Sequence, residues 1–231
     1  PFRAMLRVPF QHSQRMVLCT YRAWSPAAII AARIYRFYDQ AGFMHGKEKD
    51  TYLNEAIQIY CWLRKHLFDA STGAVRDNMN KTGRVDPAVY TYNQGTFIGA
   101  AHELYLITGD RQYLEDAVKA GYYVMKEMTK ANGGVLTNAI GGDGGLFHGI
   151  FFRYFVKLAN EKTLALDTRK DFHQFFTHSA TVMAQEGIHP TTMLYGGKWR
   201  EAPAEGTPVS LTAHLSGCML MEAMCVLEPL E

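Results

Sequence analysis

The chain has 231 residues, 48% of them hydrophobic and 20% charged, with a formal net charge of +2. That length supports one sizeable core rather than two domains. The near-neutral balance excludes recruitment of nucleic acid or of an anionic membrane by bulk electrostatics, and no stretch approaches the roughly 18 apolar residues of a membrane span.

Residues 1–24 contain no Asp or Glu but do contain Arg3, Arg7, Arg15 and Arg22. An acid-free, Arg-bearing start can mimic a transit peptide, yet its apolar residues follow no clean helical period. This stretch is expected to be truncated or disrupted sequence and stays unassigned, with residues 25–231 forming the domain. From Ser25 the pattern is helical. Residues 26–35 open a strongly apolar helix, with Pro26 at a permitted N-terminal position. A second helix over about 52–68 carries Leu53, Ala56, Ile57, Tyr60, Leu63 and Leu67 on one face.

The unit then returns. Tyr52-Leu53-Asn54-Glu55-Ala56 is echoed by Tyr113-Leu114-Glu115-Asp116-Ala117, and Thr72-Gly73-Ala74-Val75 by Gly133-Gly134-Val135-Leu136, both at an offset of 61 residues. A partial third copy opens at Phe147-His148-Gly149-Ile150-Phe151, parallel to Phe97-Ile98-Gly99-Ala100-Ala101. Helix-pair repeats signal a solenoid or a closed ring. Segments near 27–38, 94–107, 146–160 and 209–227 are apolar almost all round and are expected to be buried. Those near 52–68, 113–128 and 168–186 are amphipathic and are expected outside. The predicted fold is all-α, an α/α toroid of helix hairpins. An open superhelix has shorter repeats of about 34 residues, which the longer period disfavours.

In such a ring the loops entering the inner helices converge on a central funnel, and two of them stand out. In Tyr90-Thr91-Tyr92-Asn93-Gln94-Gly95, the amides offer donors and acceptors suited to hydroxyl groups, and Tyr90 and Tyr92 can stack on a sugar face. The competing reading is a helix cap at Asn93 or Thr91 with packed tyrosines. In Gly141-Gly142-Asp143-Gly144-Gly145, the glycines would let a ligand come close, and Asp143 could bind hydroxyls, act as an acid/base or cap the next helix. His148 and Arg153 follow on that helix, His148 at a spacing that lets it point into the funnel.

Other features point elsewhere. Nine histidines show no His-Glu-x-x-His pattern and the cysteines no Cys-x-x-Cys spacing, so no metal or other cofactor is expected. Cys218 and Cys225, on one helix, stand about 10 Å apart, too far for a disulfide; buried free thiols are the expectation. Glu115-Asp116 is expected to be a solvated outer face. Trp199 is either a sugar platform or a lid over the core.

Together these segments resemble glycoside hydrolase family 76, the endo-α-1,6-mannanases and their fungal wall relatives. The resemblance rests on the run from Tyr90 to Tyr105, on Thr108-Gly109-Asp110-Arg111-Gln112-Tyr113-Leu114, on the run from Gly142 to Tyr154, and on Ser210-Leu211-Thr212-Ala213-His214-Leu215-Ser216-Gly217. It implies a ring of six helix pairs, an (α/α)6 toroid, and retaining hydrolysis by two consecutive aspartates. Retaining chemistry needs carboxyl groups about 5 Å apart.

The sequence contains no Asp-Asp. In the family that pair precedes the segment resembling residues 26–35, so the ring is expected to be incomplete on its N-terminal side, exposing apolar inner helices, and the catalytic residues are unknown. The resemblance carries over the cleft wall: Tyr90, Tyr92, Asn93, Gln94, Asp143, His148 and Arg153. The family often has Lys where His148 stands. The implied partner is an α-mannan polysaccharide or oligosaccharide, and the implied location is secreted or in the cell envelope. Two alternatives stay open: a non-catalytic mannan-binding remnant, and another toroid sugar enzyme of the unsaturated glucuronyl hydrolase or epimerase type.

Overall fold

The computed structural model describes residues 21–42, 47–136 and 141–230. Most of the unassigned N-terminal stretch lies outside these residues. The described chain forms seven α-helices: α1 (Tyr21–Ala41), α2 (Lys47–His66), α3 (Thr91–Thr108), α4 (Arg111–Tyr123), α5 (Phe147–Ala159), α6 (Leu166–Glu186) and α7 (Leu211–Val226). A π-helical turn, Val124–Met128, extends α4, and a 3-10 turn, Gly142–Leu146, leads into α5. Extended pairing among the described residues amounts to isolated antiparallel bridges in the loops, such as Phe68 with Val75 and Ile188 with Tyr195. Pro26 lies inside α1 rather than at its first turn, because the helix already begins at Tyr21.

The odd-numbered helices form one layer: α3 packs between α1 and α5, and α5 packs on α7. They run parallel, as the close contacts show. A Cβ at Gly95 would stand 2.5 Å from the Phe151 Cα, and one at Gly99 would stand 2.5 Å from the Tyr154 ring and 3.0 Å from the Ile29 Cδ1. On the next pair, a Cβ at Gly145 would meet the Ala213 nitrogen at 2.8 Å, and one at Gly149 the Ser216 Cα at 3.0 Å. These glycines let helix axes approach more closely than side chains permit. With neighbours on both sides and α4 behind it, α3 is buried over every residue from Thr91 to Leu104, and its apolar period vanishes accordingly.

The end helices depart from the expectation of all-round burial. Ile30 and Phe37 of α1 are 42% and 61% exposed, and Leu211, Leu215 and Val226 of α7 are 70%, 39% and 55% exposed. Among the described residues each has a neighbour within the layer on one side only.

The amphipathic helices α2, α4 and α6 lie outside and are joined by polar bonds. Here Asp116 overturns the solvated-face expectation. It is fully buried, and its carboxylate accepts hydrogen bonds from the Tyr60 hydroxyl at 2.8 Å, from Arg64 and from Gln112 Nε2 at 3.1 Å. Only Glu115 of that acidic pair faces solvent. Between α4 and α6, the Tyr122 hydroxyl donates to Asp171 at 2.7 Å. The cysteines also differ from expectation. Cys61, Cys218 and Cys225 are free, but Cys61 and Cys225 are exposed.

Candidate glycan-binding site

Because the inner helices run parallel, the N-terminal ends of α3, α5 and α7 open on the same side of the molecule and form a common mouth. Tyr90 is the residue before α3 and is 40% exposed. Its ring stacks on Tyr92 at 6.1 Å and leans on Phe147 at 5.4 Å, while Tyr92 and Phe147 meet at 4.4 Å. The three rings make an aromatic shelf, with Tyr90 as its exposed edge.

Beneath the shelf stands Asp77, a residue that sequence reasoning passed over. Its carboxylate accepts from the Tyr92 hydroxyl, from Asn93 Nδ2 at 3.2 Å and from Asn78 Nδ2 at 3.1 Å. Its own backbone N–H donates to the Ala88 carbonyl at 3.0 Å, pinning the loop that returns to α3. Gln94 Nε2 donates to the Val75 carbonyl at 3.1 Å. Asn93 and Gln94 are thus fully buried in the first turn of α3, with their NH2 groups facing the preceding loop. Neither Asn93 nor Thr91 caps the helix. The cap position is Tyr90, whose side chain makes no cap hydrogen bond.

The signal that could have exposed Asp77 is weak. It is a lone carboxylate in an aperiodic loop, two residues after the Gly-Ala-Val echo. Asp77→Ala is expected to lower stability by about 1–3 kcal/mol, since two buried donors lose an acceptor. Asp77→Asn, which keeps one acceptor oxygen, should cost less. Urea unfolding midpoints at unchanged slope measure both.

The second wall is built from α5 and its glycine-rich approach. His148 is buried; its Nδ1 lies 2.9 Å from the Thr91 hydroxyl, and its ring meets Trp199 edge-on at 5.4 Å. Trp199 is 1% exposed and stacks on Phe152 at 5.6 Å, so it is the lid over the core rather than a sugar platform. Asp143 is exposed in the 3-10 turn at the mouth. Of the neighbouring glycines, Gly142 adopts a φ of 68°, which favours glycine. Gly145 instead serves the crossing with α7, and the Gly142 carbonyl accepts from the Thr212 hydroxyl at 2.7 Å. Arg153 stands apart: it is exposed on α5, about 9 Å along the axis from Phe147. Tyr90, Tyr92, Asn93, Gln94, Asp143 and His148 therefore gather at the mouth, and Arg153 lies farther down the layer.

Beside the α7 edge of the mouth is a cavity of about 310 Å³, lined by Lys198, Pro203, Thr207, Ser210 and Ala213 among others. None of the residues expected from the sequence lines it. Among the described residues no group of His, Cys, Asp and Glu could hold a metal ion, and no helix is long and apolar enough to cross a membrane.

The sequence and the layer of parallel helices match known proteins. The glycosyl hydrolase family 76 profile matches residues 23–230. The α-1,6-mannanase GH76A of Salegentibacter sp. HEL1_6 superposes with a TM-score of 0.80 at 38% identity, over 90% of this chain and 60% of that one. The Lin0763 protein from Listeria innocua superposes with a TM-score of 0.74 at 30% identity, over 89% of this chain and 55% of that one. Bt3792, a family 76 mannosidase from Bacteroides thetaiotaomicron, shares the fold at 20% identity and a TM-score of 0.68, over 90% of this chain and 54% of that one. No curated protein sequence matches. The chain thus spans about 60% of the length of the mannanase it resembles. It belongs to glycosyl hydrolase family 76.

Proposed function

We propose that this chain forms the glycan-binding wall of an α-1,6-mannanase-type glycoside hydrolase, its four inner helices being an arc of an (α/α)6 toroid. The observation that carries the reading is the aromatic shelf of Tyr90, Tyr92 and Phe147 at the shared mouth of parallel helices. It supports α-mannan as the ligand because the chain is 37% identical to a mannanase whose inactive variant, with two adjacent aspartates replaced by asparagine, was solved with α-1,6-mannotriose. In this reading Tyr90 offers a face to a pyranose ring, Asp77 holds Tyr92 and Asn93 in place, and Asp143 meets hydroxyl groups at the opposite rim. The reaction served is retaining hydrolysis, which needs a nucleophile and an acid/base about 5 Å apart.

A second reading, mannan binding without turnover, is favoured by the absence of any Asp-Asp from the 231 residues. Titrating α-1,6-mannotetraose calorimetrically while measuring reducing ends released from α-1,6-mannan separates the two. Heat of binding with no released ends supports the wall without the catalytic pair; binding with released ends means that the chain holds its own carboxylate pair. Absence of any binding sinks the mannan reading. Tyr90→Ala should weaken binding about 2- to 10-fold, the worth of one aromatic stack, with the thermal melt unchanged because the ring is partly exposed.

A further inference from the structure

The mouth uses only one end of the inner layer. About three turns farther along α3, Glu103 is 3% exposed and carries two ion pairs: Arg33 Nε donates to Oε1 at 2.6 Å, and Arg36 Nη1 donates to Oε2 at 2.6 Å. The level of this cluster is fixed by Gly99, which touches both Ile29 of α1 and Tyr154 of α5. One turn onward from those three residues come Arg33, Glu103 and Lys157. Arg153 is the neighbour of Tyr154, and both Arg153 and Lys157 are exposed on the open face of α5.

The charges do not balance. Four cations, Arg33, Arg36, Arg153 and Lys157, surround one carboxylate. Among the described residues neither Arg153 nor Lys157 has an ion-pair partner, and Arg33 and Arg36 each use a single N–H on Glu103. The next acid along α5, Glu161, is committed elsewhere, to His102 Nε2 at 3.0 Å and to the backbone and hydroxyl of Thr163. The surplus is felt locally. Burial first, and then Arg33, hold the Lys157 ammonium below its ordinary pKa, with Arg153 and Arg36 adding to that and Glu103 opposing it. At Glu103 burial pushes the carboxyl up, but the paired guanidiniums outweigh it and hold it below the usual carboxylate range. That carboxylate is therefore ionised and already counted against the four cations.

We propose that this open face of α1, α3 and α5 is a binding site for a phosphate group, held by the free guanidinium N–H groups of Arg33, Arg36 and Arg153 and by the Lys157 ammonium. Planar guanidinium forks suit tetrahedral oxyanions, and a doubly charged group fits a surplus of three better than a single charge does. The site is independent of the mannan reading, since it shares no side chain with the mouth shelf. Its ligand is either free phosphate or a phosphate ester on a sugar.

The probe is inorganic phosphate, compared with sodium chloride at matched ionic strength. If the dissociation constant is on the order of 1 mM, about 10 mM phosphate should raise the melting temperature by about 3–6 °C. Phosphate also raises melting temperatures non-specifically, so the variants decide. Arg153→Gln and Lys157→Met should lose the phosphate-specific part of the shift, and 31P NMR titration should show line broadening with the unaltered chain alone. Without phosphate, Lys157→Met should melt at the same temperature or higher, because it relieves repulsion among cations. Mannose 6-phosphate separates the sources: tighter binding than inorganic phosphate marks a sugar ester, and equal binding marks the free ion. An equal phosphate shift in the unaltered chain and both variants overturns the proposal, as does a clear drop in the melting temperature of Lys157→Met without phosphate.

Discussion

Gly95→Ala is expected to cost about 3 kcal/mol or more, lowering the melting temperature by roughly 6–12 °C for a chain of this size. The added methyl would stand 2.5 Å from the Phe151 Cα and 3.0 Å from the Ile150 carbonyl oxygen. Both obstacles are backbone, so no side chain can turn aside, and α3 and α5 must separate over their whole contact. Gly141→Ala is the matched control. Its backbone sits at φ −55°, and the nearest atom to an added Cβ is the Ser210 hydroxyl at 4.0 Å, so stability should change by less than about 1 kcal/mol. Calorimetric melts of the two variants measure this directly. Equal losses would show that the crossing is looser than described. Gly141→Ala also tests whether the glycine run admits a ligand closely, since weaker mannotetraose binding at unchanged stability would assign it that role.

Asp116→Ala should cost about 3–4 kcal/mol, near the lower end for breaking a buried ion pair. Arg64 is 39% exposed and Gln112 is exposed too, so both can turn to water, and most of the loss falls on the buried Tyr60 hydroxyl, which loses its acceptor. The Tyr60 phenol is held well above its usual pKa by burial and then by the adjacent carboxylate, so it stays a donor throughout the neutral range. Tyr60→Phe should lose only about 1 kcal/mol, the net value of one hydrogen bond, and the double variant should lose less than the sum of the two because they share a partner. Urea midpoints for the three proteins test that coupling. Strict additivity would mean that Tyr60 and Asp116 do not interact.

Much of the helix order was legible because burial leaves a period. The seven helices and their alternation of apolar and amphipathic character follow from it, as does the placement of Tyr90 at the mouth of a buried helix. What was not legible depends on neighbours distant in sequence. Asp116 and Glu115 are adjacent acids, and nothing local says that Asp116 turns toward Tyr60, 56 residues away. The exposed faces of α1 and α7 reflect their single layer neighbour among the described residues, which a helical period cannot report. A further copy of the repeat was hidden by changed chemistry. The turn after α2 is held by Asp69, whose Oδ1 accepts from the amides of Ser71 and Thr72. The turn after α6 is held by His189, whose Nδ1 accepts from the amides of Thr191 and Thr192. Both turns then pass through a left-handed residue, Gly73 with a φ of 88° or Met193 with a φ of 58°. A carboxylate and an imidazole do one job, so the letters diverge where the geometry repeats.

The placement of the inner glycines has one more consequence. Backbone meets backbone at Gly95 and Gly145, near the beginnings of α3 and α5, whereas farther along the helices meet through Tyr154, Ile29, Glu103 and the arginines. Main chain therefore locks the crossings at the Tyr90 end, while farther along α1, α3 and α5 long side chains fill the seams. A change at the main-chain crossings has nothing pliable beside it, whereas the long cationic side chains at the other end can shift to absorb one.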